Sequence, residues 1–445
     1  MRNWLALVLV ATCASCGDAG LPPGEPLPPP NDFVLTGARI FTADGSRPWA
    51  EALVVRDGRI LYVGDDAGAL ALREKGDTRH DLHGRLVIPG LVDAHTHPGM
   101  VGFLGEDDEE SPVPKTSHED ILTWLEGYAG WFWPPVIVAG DWPTTLYGIE
   151  GPRKEELERK GRLPLRYRGV VHIVLPDQMD TAVSELKRLR REYGGELLRF
   201  ETIKIHFDGV QEIRTAAMLD PYLGEGAGRG ETLFTLDRLR DFILELHAEE
   251  IDLHLHTVGD RAIRVALDAV EHARVAVEGD LDSHVTLSHL EVLDDTDIPR
   301  FRELGVVANF TPHWHGGYFE GSHLTVGEPR SSRVMRAQPL LEDGAVVSFS
   351  SDVTTYAEME RANPFLGMQV AHNRQDLEGG PDASVMLPLT ERLGREDLVR
   401  GYTHGGATQL RLDDELGSLT VGKAADLVVL SEDLFVVDRY AIHRV

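Results

Sequence analysis

Cysteine is nearly absent: the 445 residues hold two, Cys13 and Cys16. Residues beyond 16 therefore have no disulfide framework and no cysteine-based structural zinc site open to them. Long apolar runs are scarce too. The stretch from Trp4 to Ala11 behind Arg2 has the length of a signal-peptide core and falls short of a bilayer span. Positive charge is in deficit, with 44 Lys plus Arg against 73 Asp plus Glu and a formal charge of -29. Such a balance repels phosphate backbones and anionic headgroups, which argues against nucleic acid as a partner. What is present is apolar residue in quantity, 42%, enough for a large core and an accessory module.

The start of the chain reads as an address. Cys13-Ala14-Ser15-Cys16 resembles the small-residue box of bacterial lipoprotein signals, which implies a lipid anchor to the membrane through Cys16. The expectation is an exported protein, periplasmic or a membrane-anchored bacterial lipoprotein, with residues 1–16 as signal. Ordinary signal cleavage and an uncleaved anchor are the alternatives. Residues 17–32 carry Pro22, Pro23, Pro26, Pro28, Pro29 and Pro30, the composition of an extended tether.

From Phe33 the text turns to short β-rich runs, with Asp57-Gly58 as a hairpin signal between two of them. The same style returns from Gly417 to Leu430. A small β-sandwich built from both ends, 33–88 and 415–445, is expected. Between them strand-like and helix-like segments alternate, the mark of a parallel sheet with crossover helices. Eight strands are predicted: Leu86–His97, Pro134–Gly140, Gly169–Leu175, Thr202–Asp208, Ile251–Thr257, Val285–Val292, Val306–Pro312 and Val346–Asp352. Helices are predicted over Thr181–Tyr193, Leu236–Glu249 and Arg261–Ala273. The fold class is thus α/β, a (β/α)8 TIM barrel over 89–414, with its active site at the C-terminal strand ends.

Those ends carry the chemistry. His95 and His97 close the first strand, and residues two apart share a strand face, so both imidazoles can reach one cation. A lone pair of this kind says little. Lys204 on the fourth strand, His254 and His256 on the fifth, Ser288-His289 on the sixth and Ser351-Asp352 on the eighth add imidazole, amine and carboxylate at the same mouth. That donor set suits a catalytic metal with an open position.

The text here resembles the amidohydrolase superfamily, and within it the amidohydrolase family 3 branch that contains N-substituted formamide deformylase. The likeness rests on Pro89-Gly90-Leu91-Val92-Asp93-Ala94-His95-Thr96-His97, Lys204 with Asp208-Gly209, Arg214-Thr215-Ala216-Ala217, His256-Thr257-Val258-Gly259-Asp260-Arg261-Ala262, Ser288-His289 and Ser351-Asp352. It closes on Gly417-Ser418-Leu419-Thr420-Val421-Gly422-Lys423-Ala424-Ala425-Asp426-Leu427 and runs from about residue 33 to 431. It implies metal ligands His95, His97, Lys204, His256, His289 and Asp352, and one or two divalent ions, zinc foremost. It also implies that Lys204 is N6-carboxylated as a bridge and that Asp352 is the catalytic proton shuttle. The reaction implied is hydrolysis of a non-peptide C–N bond in a small-molecule amide, formamide or cyclic amide. The stretch between His97 and Lys204 is short for this branch, which implies a more open pocket and bulkier substrates.

Other signals are weaker. His313, Trp314 and His315 are placed to line the substrate mouth, against a surface loop with incidental aromatics. His254 and His206 share faces with the ligands but are expected in a different layer, held by hydrogen bonds. His404 reads as structural, the run Glu106–Glu110 as a solvated loop, and Asp141-Trp142 as within reach of substrate. Two rival functions stand: an esterase, lactonase or phosphoesterase at the same metal site, and a surface binding lipoprotein that has lost catalysis.

Overall fold

A computed structural model describes residues 32–97, 137–141, 166–277, 280–319, 321–354 and 356–445. The signal, the tether up to residue 31, the acidic run Glu106–Glu110 and Trp142 lie outside the described residues.

Eight strands form one parallel sheet in sequence order: β8 (Val92–Thr96), β9 (Ile137–Asp141), β10 (Tyr167–Ile173), β11 (Leu198–His206), β12 (Asp252–Thr257), β13 (Val285–His289), β14 (Val307–Phe310) and β15 (Val347–Phe349). Their side chains alternate in an unusual sense. Ile203, Ile205, Leu253, Leu255 and Leu287 point into the large apolar core, whereas Lys204, His206, His254, His256 and Ser288 alternate with them. Apolar surface is thus spent on the helices outside, and the opposite face is left to polar groups. The segment after β15 also bonds to the end of β8. Asp352 N–H donates to His95 O at 2.9 Å and His97 N–H to Val353 O at 3.0 Å.

The predicted helices are present as Met179–Tyr193, Leu236–Ala248 and Asp260–Val277. Each buries one stripe, such as Leu239, Phe242, Ile243 and Leu246 on the second, the spacing of an amphipathic helix against a sheet. Thr235 caps that helix by accepting from Arg238 N–H.

The first predicted strand is corrected. Residues 86–97 are two strands in two different sheets. β7 (Leu86–Pro89) pairs with β2 (Arg39–Phe41) and β16 (Leu427–Val429), and only β8 enters the parallel sheet. The break is at Gly90, whose N–H donates to Asp426 O at 2.9 Å and whose missing Cβ leaves room for the Asp426 side chain. An unbroken apolar run hides such a change of partner.

Two four-stranded sheets stand beside the parallel one. β2, β7 and β16 are joined by β3 (Trp49–Ala50). The other has the order β5 (Arg59–Gly64), β4 (Ala52–Arg56), β1 (Phe33–Thr36), β6 (Thr78–Asp81). They share a core of Leu35, Ile40, Leu53, Val55, Val87 and Leu427. Past Val429 the chain leaves this core, and Leu434 and Ile442 pack into the larger one.

A π-helical turn, Gly401–Gly405, lies tight on β15. A Cβ on Gly405 would fall well inside van der Waals contact of the Val347 carbonyl oxygen. Gly405→Ala should therefore cost about 1–3 kcal/mol in urea unfolding, whereas Gly45→Ala, in open space, should leave the midpoint unchanged. Equal midpoints for both variants would contradict this packing.

Candidate metal centre

His95 and His97 sit at the end of β8, and Asp352 follows β15. His95 Nε2 and His97 Nε2 are 3.0 Å apart. Asp352 Oδ1 is 3.5 Å from the first and 3.2 Å from the second. All three residues are buried, and among the described residues they are the group whose ligand atoms converge closely enough to hold one ion. Burial, then the charge of Lys204, holds the His95 imidazole well below its ordinary pKa, so its lone pair is free of a proton. Burial alone would raise Asp352. The bond to His97 and the charges of His289, His97 and Lys204 outweigh it and hold the carboxyl at about 2. Two imidazoles and a carboxylate, buried with their ligand atoms turned toward one another, are a donor set that fits a divalent metal.

The other expected ligands surround this trio. Lys204 Nζ is 3.3 Å from His95 Nε2 and donates to Ser288 Oγ at 3.0 Å. His289 Nδ1 is 3.7 Å from Asp352 Oδ2. His256 is further round: its Nε2 is 3.1 Å from the Gly209 carbonyl oxygen, to which it donates, and its ring stacks on His206 at 4.0 Å. Burial, followed by a neighbouring His charge, holds both His256 and His289 well below the ordinary imidazole pKa.

The layers differ from expectation in an instructive way. His254 is in register with Lys204, and His206 with His256. Expected ligands and expected bystanders therefore share levels, and position along the strand does not separate them. The His254 ring lies edge-on to His95 at 4.7 Å.

The trio His313, Trp314 and His315 falls on a tight 3-10 turn, Pro312–His315, in which successive side chains point about a third of a turn apart. Only Trp314 meets the imidazole cluster, stacking on His289 at 5.5 Å. His315 is fully buried, its ring edge-on to Phe310 at 5.6 Å. His313 is buried where a Cβ on Gly367 would touch it, beside the Tyr402 hydroxyl.

Several contributors went unread in the sequence. His172 is in register with Lys204, its ring 6.2 Å from His97; its place near the end of the third strand was the available signal. Asp93 accepts from Ser351 N–H at 2.9 Å and from Ser351 Oγ, tying β8 to the segment that bears Asp352. Burial lifts its carboxyl to about 7 despite these bonds. Asp208 accepts from Ala217, Val258 and Gly259 N–H at 3.0, 2.9 and 2.9 Å and so fixes the loop after β12. His289 and Asp352 have φ of 78° and 48°, a left-handed backbone that costs energy outside glycine and gathers at functional sites.

The model of the amidohydrolase family matches residues 115–445. The chain belongs to this family. Amidohydrolases are metal-dependent hydrolases of carbon–nitrogen bonds, and this amidohydrolase has full-length relatives. It is 26% identical over 525 residues to N-substituted formamide deformylase of Arthrobacter pascens, covering 90% of this chain and 94% of that one. It is 23% identical to Protein LONG AFTER FAR-RED 3 of Arabidopsis thaliana, covering 90% and 87%. In fold it is similar to an uncharacterised metal-dependent hydrolase of Pyrococcus furiosus, with a TM-score of 0.71, 22% identity and coverage of 91% and 100%.

Asp93 gives a direct test of how the amidohydrolase holds its donors. Asp93→Ala should weaken zinc binding roughly 10- to 100-fold, measured by competition with a fluorescent chelator. Unchanged affinity would mean that the Ser351 tie does not position Asp352.

Proposed function

We propose that the eight parallel strands close as a (β/α)8 barrel and that the enzyme hydrolyses a small non-peptide amide, formamide or cyclic amide at their C-terminal ends. The observation that carries this reading is the convergence of His95 Nε2, His97 Nε2 and Asp352 Oδ1. His95, His97 and Asp352 would hold one divalent ion, zinc by preference for imidazole and carboxylate. His256, His289 and Lys204 would hold a second, His256 after giving up Gly209. When bound, a divalent ion acidifies a water and polarises a carbonyl.

Lys204 enters as an anion. An ammonium has no lone pair to offer, and burial disfavours it. Its neutral amine and carbon dioxide give a carbamate and a proton, and the carbamate supplies two oxygens between the His95 and Ser288 sides of the site. Asp352 takes the proton from the attacking water and returns it to the departing nitrogen, since an amine leaves poorly unless protonated. Trp314 forms an apolar wall against His289 and directs the substrate away from bulk water. Asp93 and Asp208 keep their strand ends aligned during this transfer.

Removing metal with a chelator should abolish amide hydrolysis, and zinc should restore it. Asp352→Asn should retain at least one metal while kcat falls roughly 100- to 10,000-fold. Metal stoichiometry by elemental analysis should fall from two ions to one or none in Lys204→Ala. Full activity in the chelated enzyme, or in Asp352→Asn, would overturn the reading.

A further inference from the structure

The strand that bears both histidines is irregular where they begin. Along the β8–β9 pair Asp93 matches Val138 and Thr96 matches Gly140, so the register shifts across Ala94 and His95 and β8 carries one extra residue there. Such a bulge re-aims a side chain and interrupts the ladder. A buried carbonyl within it needs a partner from elsewhere. Ala94 O has one: Gln409 Nε2 donates to it at 2.7 Å.

Gln409 is buried at the end of the helix Gly406–Gln409, which continues the π-helical turn. Two glycines bring this helix against the sheet. A Cβ on Gly405 would collide with the Val347 carbonyl, and one on Gly406 with the Val92 side chain. The backbone therefore lies close to β15 and β8, within reach of a glutamine side chain. The other end of the amide is held as well. Gln409 Oε1 accepts from Ser348 Oγ at 2.5 Å and from Asn309 Nδ2 at 3.3 Å, and Asn309 Nδ2 also donates to Ser348 Oγ at 2.9 Å. An acceptor on one side and donors on the other fix which way the amide points. One side chain thus joins β8, β14 and β15.

The effect reaches the metal centre through the next residue. His95 follows Ala94 directly, and its own carbonyl accepts from Asp352 N–H at 2.9 Å. Gln409, His95 and Lys204 line one cavity of about 20 Å³, room for a single small molecule, so packing does not close in His95 on that side. Its aim depends on its backbone. We infer that Gln409 is a positioning residue of the metal centre: by holding Ala94 O in the bulge it sets the direction of the His95 imidazole toward His97 and Asp352. The inference rests on the reading of those three side chains as a metal site.

The test compares full-length wild type, Gln409→Met and Ser348→Ala by zinc affinity, in competition with a fluorescent chelator, and by the visible spectrum of the cobalt(II)-substituted protein. Methionine keeps the length of glutamine but has no N–H for Ala94 O. Gln409→Met should weaken zinc binding roughly 10- to 100-fold and move the cobalt bands, which report ligand geometry. Ser348→Ala removes one donor to Oε1, leaves the bond to Ala94 and should match wild type in both. Affinity lost without movement of the bands, no change of either in Gln409→Met, or equal losses in Ser348→Ala would each overturn the assignment. If thermal melting shows that Gln409→Met does not fold, Gln409→Asn, whose amide falls one methylene short of Ala94 O, takes its place with the same expectation, and wild-type affinity in it refutes the assignment. Wild type that binds no zinc refutes the metal reading and the inference with it. Zinc held tightly and equally by wild type and Gln409→Met refutes the inference alone.

Discussion

Lone pairs that water cannot reach must share a proton or a cation, and three of them meet where His95, His97 and Asp352 converge. Much of the surrounding structure keeps them there. The parallel strands give their apolar side chains to the outer helices, so the polar alternates are left facing one another. Asp93 and Ser351 lock the segment bearing Asp352 to the strand bearing both histidines. Ser288 accepts from Lys204 and itself donates to the Leu255 carbonyl, which fixes the amine beside His95. None of these ties stabilises the fold cheaply. Each buries a polar group whose desolvation is only offset by the bond it makes.

Strain is placed in the same region. His289 and Asp352 both adopt positive φ at strand ends, where a β-strand must stop and its last side chain be turned toward the site. Glycine would adopt this backbone without cost but would bring no donor. The neighbouring bonds, Leu290 N–H to Thr257 O and Asp352 N–H to His95 O, hold the two residues in that conformation. This is how a site acquires a geometry that its local sequence does not favour.

Much of this was legible in the sequence, for physical reasons. A period of two is visible in Lys204 and His206 or His254 and His256, so the strands and the shared face of their polar residues could be read directly. The amphipathic helices showed through their apolar spacing. Other features depend on facts that a linear text does not carry. The run Leu86–His97 conceals a change of sheet at Gly90, because both halves are apolar and buried. His313, Trp314 and His315 read as one lining because they are adjacent, yet a 3-10 turn sends them in different directions and buries His315. His254 and His256 look equivalent, and only the contacts of each ring tell them apart. Asp93 looks like an ordinary acidic residue until the fold brings Ser351 against it.

The central claim is that the His95, His97 and Asp352 side chains form a cation site. Diffraction from zinc-soaked crystals, recorded on both sides of the zinc absorption edge, tests it without any assumption about substrate. The account predicts an anomalous peak within bonding distance of His95 Nε2, His97 Nε2 and an Asp352 carboxylate oxygen. Zinc bound only elsewhere, with these three groups still facing an empty centre, would contradict it.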